Sequence, residues 1–528
     1  MHFEIMDYEL PTNFDVVVVG TGIIESIISA AASRIGKTVL HVDSNNFYGG
    51  LSSSFNLESF LKLNIEKRKS ICMEHSSLND TETFFPINNS DFTLDEVTHQ
   101  WNITNKNKNY SDEENSAQED IIAKEICAKK WLKDDLLKES RKFNIDLTPK
   151  VQYARGDFIE LLISSNIARY SEYRSITRVL TWFNNTLEVV PCSRSDIFAN
   201  NKISIIEKRI LMKFFTSLDD NEDLIIKDYA SKTYKCFLTD KKLSKNLIHY
   251  ILYAISNSTD STLCLEGIGN TKKFLKSLGR FGKTPFLYSM FGSGDLPQEF
   301  CRLSAVFGSV FALDQPIHGL ILEENSFKSI LIGKQKIKAK NFVLGLNLTP
   351  DFFLNKVKKK FISRGVFITN KSIMDSDNEP LTLLLYPAEN DKNPCTVLEL
   401  PWLSSCCPKD TYLVHISCNQ INNPEDDLKH CVKNLFTLNE DFKAFKPLIF
   451  YSSYFSIPTN SDENVNLHDF NNLFICPGPD SELDFVTAVS KAKELFLKMY
   501  PDDEFLPRAP DPEEIKWDGD EEPSDIAQ

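Results

Sequence analysis

The stretch from Phe14 to Asp43 limits the possible folds of this chain most tightly. Phe14 to Val19 is a short β-branched run closed by Gly20, the pattern of a buried strand. Ile23, Ile24, Ile27, Ile28, Ala31 and Ile35 follow at helical spacing and stop at Gly36. Thr38 to Val42 is a second apolar strand, ending at Asp43. A strand, a helix and a strand in so short a span make a βαβ unit, which implies a parallel pair and a right-handed crossover. Gly20-Thr21-Gly22-Ile23-Ile24-Glu25 stands between the first strand and the helix, where a dinucleotide fingerprint belongs. Asp43 falls where such folds place an acidic residue for a ribose hydroxyl. The spacing predicts an α/β fold with an FAD/NAD(P)-binding-like domain on a mixed sheet.

The fingerprint is altered at its third glycine. That position normally allows helix and strand to approach beside the pyrophosphate; here it is Glu25. A carboxylate in the first helical turn suits the helix dipole, and it competes with a phosphate for the same positive site. Two readings follow. In one, Gly20, Gly22, Glu25 and Asp43 are a vestigial motif, kept as scaffold and lost as a site. In the other, Glu25 is a tolerated surface residue and FAD still binds. The first is favoured, so no cofactor is expected.

Composition narrows the function classes. The 528 residues allow two to four domains, given about 100–200 residues each. A formal net charge of −15 argues against nucleic acid as a partner, because gripping phosphates needs clustered Lys and Arg. Partners with basic or apolar surfaces are expected instead. The N-terminus lacks the charged-then-apolar pattern of a signal peptide, and no apolar run approaches the ~20 residues that span a bilayer. The twelve Cys form no C-x-x-C pair, so free thiols in a cytoplasmic setting are expected. The C-terminus carries no prenylation box. The scattered His have no zinc-like spacing, and no G-x-S-x-G elbow is present; no catalytic and no metal-ligating residues are assigned.

Along the chain, residues 64–125 turn polar and weakly periodic, and are read as a long solvated insertion. Residues 191–285 look helical. One stripe runs through Ile203, Ile206, Ile210, Phe214 and Leu218, a second from Leu243 to Ile255, and a third through Phe274, Leu275, Leu278 and Phe281, each amphipathic. Strand-like patterns return from Leu320 to about residue 475, and a last helix carries Ala488, Ala492, Leu495, Phe496 and Met499. The expected organisation is an α/β domain over 1–190 and 286–505, interrupted by the insertion 64–125. A smaller all-helical domain covers 191–285, and an acidic extended tail covers 506–528.

A second motif is longer. Arg280-Phe281-Gly282-Lys283-Thr284-Pro285-Phe286-Leu287-Tyr288 leads into Phe291-Gly292-Ser293-Gly294-Asp295-Leu296-Pro297-Gln298, then Phe300-Cys301-Arg302-Leu303-Ser304-Ala305-Val306-Phe307-Gly308. Gly292, Gly294 and Pro297 set a tight loop. Asp295 and Arg302 are seven residues apart, so after a loop-to-helix transition they can flank one surface. An exposed Asp295–Arg302 salt bridge, worth about 0–1 kcal/mol, is the structural alternative.

This block is similar to the signature of the Rab GDP-dissociation inhibitor and Rab escort superfamily. So is the N-terminal set Gly20 to Ser26, Val39 to Asp43 and Asn46-Phe47-Tyr48-Gly49-Gly50. The resemblance covers about 1–63 and 130–520. It implies a flavoprotein-like fold without flavin catalysis, and a surface for GDP-bound Rab GTPases formed by Tyr48, Asp295 and Arg302. Val310 and Ala312 stand at further contact positions, where the recycling inhibitors have Thr and Met. Asp295 replaces the commoner Glu. The ending Asn472 to Asp480, Pro510 to Ile515 and Asp518-Gly519-Asp520 resembles the escort branch. That branch implies a non-catalytic adaptor that presents Rabs to the geranylgeranyltransferase α/β heterodimer through its α subunit, with Phe274 and Arg280 as docking candidates. It also implies shelter for the geranylgeranyl lipid in an apolar cleft of the helical region, and transient membrane delivery from the cytosol. The alternatives are a recycling GDP-dissociation inhibitor and an FAD-dependent amine oxidase-like enzyme.

Overall fold

The computed structural model describes residues 9–63, 81–87, 94–103, 131–192, 196, 204–220, 228–354, 360–376, 378, 380–388, 392–437, 446–459 and 470–508. The βαβ unit forms as its periodicity predicts. Strand β1 (Asn13–Val19) leads into helix α1 (Ile23–Arg34), and β2 (Val39–Val42) returns parallel to β1 in the register Val16↔Val39 to Val19↔Val42. Val16 to Val19 are fully buried, which is why the run is apolar without alternation. Gly20 turns the chain at φ +102°, a conformation that strains any side chain.

β1 and β2 lie inside an eight-stranded mixed sheet. Its order runs from β3 (Val310–Ala312) through β2 and β1 to Gln335–Gly345, Ser326–Ile332, Ile317–Glu323 and Glu82–Pro86; Leu473–Cys476 pairs off Gln335–Gly345. A second eight-stranded sheet runs Thr186–Val189, Arg178–Phe183, Thr382–Tyr386, Cys395–Pro401, Tyr412–Asn419, Lys360–Thr369, Ile449–Thr459 and Asp95–Trp101. The helices Ile205–Asp220, Tyr234–Asp240, Lys245–His249 and Cys264–Ser277 do not close a core of their own. Phe214, Phe237 and Ile251 share one apolar cluster with Leu383, Leu398 and Leu413 of the second sheet. A buried polar contact crosses the same boundary, with His249 Nε2 3.1 Å from Thr181 Oγ1 of that sheet.

Two expectations change. Residues 64–125 are not a solvated insertion throughout: Glu82–Pro86 and Asp95–Trp101 are edge strands, one in each large sheet. An edge strand leaves one side of its backbone unpaired and is commonly polar, so these runs carry a weak strand signal. Of that span, residues 64–80, 88–93 and 104–125 lie outside the described residues, as does the tail from 509. The first helical stripe is also split. Phe214 and Leu218 point inward, while Ile206 is 71% exposed and Ile210 37%; Ile203 lies outside the described residues. The last helix forms as expected, Val486–Met499.

Candidate functional site

The altered fingerprint comes first. Glu25 is 7% exposed, so it is not a surface residue. A Cβ placed on Gly22 would lie 2.5 Å from its Oε2, and one on Gly345 2.5 Å from its Oε1. The carboxyl is therefore wedged between the two glycine backbones beside the N-terminus of α1. Burial, with a smaller contribution from Asp43, raises its pKa to about 7. Asp43 is 1% exposed and already engaged. Its Oδ2 accepts from Thr21 N at 2.9 Å and Thr21 Oγ1 at 2.7 Å, and its Oδ1 accepts from Asn45 N at 2.8 Å. These residues do not fit a dinucleotide: a carboxyl fills the phosphate position, and the ribose-binding acid is consumed internally.

The same scaffold holds the second motif. Helix α2 (Asp295–Val306) packs on α1 through small polar side chains, with Ser29 Oγ 2.8 Å from Ser304 Oγ. A turn at Gly308 leads from α2 into β3, which pairs with β2 in the register Val310↔Leu40 to Ala312↔Val42. Tyr48 stands edge-on to Phe311, ring centroids 6.3 Å apart. Its pKa is raised by burial and then by Cys301. Tyr48 thus meets the edge strand that follows α2, on which Val310 and Ala312 are half-buried.

Asp295 and Arg302 share a face of α2 and do not pair with each other, so the salt-bridge alternative is not what forms. Asp295 makes no side-chain hydrogen bond among the described residues, and burial followed by Asp146 raises its pKa to about 6. Arg302 is exposed and makes no ion pair among the described residues. Its guanidinium lies 4.9 Å from the centre of the Tyr170 ring. Glu299, between the two, accepts from Ser171 Oγ at 2.6 Å.

The loop before α2 is held by a residue that sequence reasoning missed. Asp146 is fully buried and accepts from Ser54 Oγ, from Tyr288 Oη at 2.8 Å and from Ser293 N at 3.0 Å. Burial raises its pKa, while those three donors lower it. An acid inside the apolar run Ile145-Asp146-Leu147 was the available signal. Asp146→Asn replaces an acceptor oxygen with a donor and strands one of these groups. The expected cost is about 1–3 kcal/mol, read as a lower denaturation midpoint with an unchanged slope.

The docking candidates fare differently. Phe274 is corrected: it is 1% exposed and packs edge-on against Phe286 at 5.9 Å. The face of Cys264–Ser277 that carries it turns into the core, so Phe274 offers no docking surface. Arg280 pairs with Glu160 and donates to the Ala154 carbonyl at 2.7 Å, so docking through it requires that pair to open. Phe281, read as part of the same stripe, lies beyond the helix and is exposed.

A profile of the GDP dissociation inhibitor family matches residues 6–85 and 97–503. The chain belongs to the GDP dissociation inhibitor family. The match reaches into both edge strands, which the sequence resemblance had left uncovered. Among relatives, the chain is 34% identical to Rab proteins geranylgeranyltransferase component A of Drosophila melanogaster, covering 98% of this chain and 94% of that one. It is 33% identical to component A 2 of Mus musculus, covering 97% and 99%. The crystal structure of a Rab GDI from Plasmodium falciparum superposes with a TM-score of 0.65 at 17% identity, covering 93% and 99%; at that identity the likeness concerns the fold. Among the described residues, no helix of this family member is long and apolar enough to cross a membrane.

Proposed function

We propose that this protein is a non-catalytic escort: it binds newly made GDP-bound Rab GTPases, presents them to Rab geranylgeranyltransferase and carries the prenylated Rab from the cytosol to membranes. One observation supports the reading most. Asp295 and Arg302 lie on one face of α2 without an ion pair between them, complementary charges left for another molecule. Tyr48, which meets Phe311, and Val310 and Ala312 of the same strand are assigned to the same binding surface. The names of the relatives, component A of the transferase, favour the escort role. The helical layer of 191–285 is assigned to the transferase α subunit and to sheltering the lipid. Shelter is needed because burying a twenty-carbon chain is worth up to about 15 kcal/mol, at roughly 0.8 kcal/mol per methylene. The α/β part over 1–190 and 286–505 is assigned to the GTPase, and 506–528 to a tail.

Reconstitution tests this. Purified transferase, a GDP-loaded Rab and geranylgeranyl diphosphate are expected to give prenylated Rab only when this protein is added. Equal transfer without it sinks the escort role. Extraction of already prenylated Rab from membranes, with no support of transfer, selects the recycling-inhibitor reading that the family profile also permits.

A further inference from the structure

We infer that Tyr170, which comes from a separate stretch of chain, positions the Arg302 guanidinium for the partner by standing against it with its ring. This deepens the proposed function and rests on Arg302 facing the GTPase. The ring centre lies 4.9 Å from Arg302 Cζ, within the range of a cation–π contact. Tyr170 is itself fixed from two sides. Its backbone N–H donates to the Ile167 carbonyl at 3.1 Å, closing the short turn Ile167–Arg169 that starts at Asn166 with φ +68°. The next residue, Ser171, donates to Glu299 Oε2 of α2 at 2.6 Å. The turn is therefore anchored to the helix that carries Arg302.

The hydroxyl contributes little. It lies 3.4 Å from the Glu299 carbonyl, longer than an ordinary O–H···O bond. Burial and Glu299 hold the phenol pKa at about 12 despite Arg302, so the ring stays neutral at physiological pH. A neutral ring spends none of the guanidinium's N–H donors. It limits where a long side chain can point, and so reduces the rotamer entropy lost when a partner engages the planar fork.

The test is a titration of GDP-loaded Rab against Tyr170→Phe, Tyr170→Trp, Tyr170→Leu and each of these combined with Arg302→Ala. Phe and Trp keep a ring and are expected to bind within about 2-fold of the parent. Leu is expected to weaken binding roughly 2- to 30-fold. In the Arg302→Ala background Leu is expected to have no further effect, because the interaction it removes is already gone. Parent-like binding by Tyr170→Leu overturns the inference. So does an equal loss with and without Arg302, which marks a purely structural role. If Leu fails to fold, weakened binding by the Phe and Trp variants overturns the inference in its place. If Arg302→Ala alone binds like the parent, the platform reading itself fails, and that result is distinct from the others.

Discussion

Arg302→Glu is expected to weaken capture of GDP-loaded Rab by about 100-fold or more, with little loss of fold. Arg is enriched among residues that carry most of an interface's binding energy, and reversing a charge adds repulsion to the lost attraction. Arg302 is exposed and makes no ion pair among the described residues; the internal contacts that reversal gives up are the Tyr170 ring and its attraction for Glu299. Glu is a good helix former, although it would sit one turn from Glu299. Arg302→Lys is expected to fall between parent and reversal, since Lys keeps the charge and loses the planar fork. Titration by fluorescence or calorimetry reads the series, with the melting temperature as the check on folding. Parent-like affinity in the reversed variant removes α2 as the binding face.

Glu25→Gln is expected to stabilise the protein at pH 8 by on the order of 3 kcal/mol. The folded-state pKa of Glu25 is raised from 4.5 to about 7. Below pH 4.5 the carboxyl is protonated in both states and nothing is lost. Between 4.5 and about 7 the unfolded chain ionises first, so stability falls as pH rises. Above about 7 the penalty is complete. Gln does not titrate, so the difference between variant and parent should grow across that window and then level. Asp295 and Glu299, raised to about 6 and 7, are present in both proteins and cancel in the difference. Denaturation curves at several pH values give the result. A parent that is the more stable protein at pH 8 means instead that the carboxylate is bound by the helix terminus and contributes stability as an anion.

Legibility differed from element to element. The βαβ unit was readable because strand and helix periods are local, and a buried parallel strand needs an unbroken apolar run. The edge strand Asp95–Trp101 was not, because its exposed face admits polar residues freely. Tyr48, Asp295 and Arg302 were assigned from motif resemblance, because nothing local in the chain marks a surface residue as a contact. Asp146 and Tyr170 were missed, since their partners lie far along the chain.

The sequence by itself determined the dinucleotide-type scaffold, the substitution of its third glycine and the loop-to-helix block carrying Asp295 and Arg302. Only the tertiary structure decided that Glu25 turns inward between Gly22 and Gly345, that Phe274 faces the core and that Asp295 and Arg302 remain apart. The reason is geometric. Periodicity sets which residues share a face of an element, but which face is covered depends on the elements packed against it.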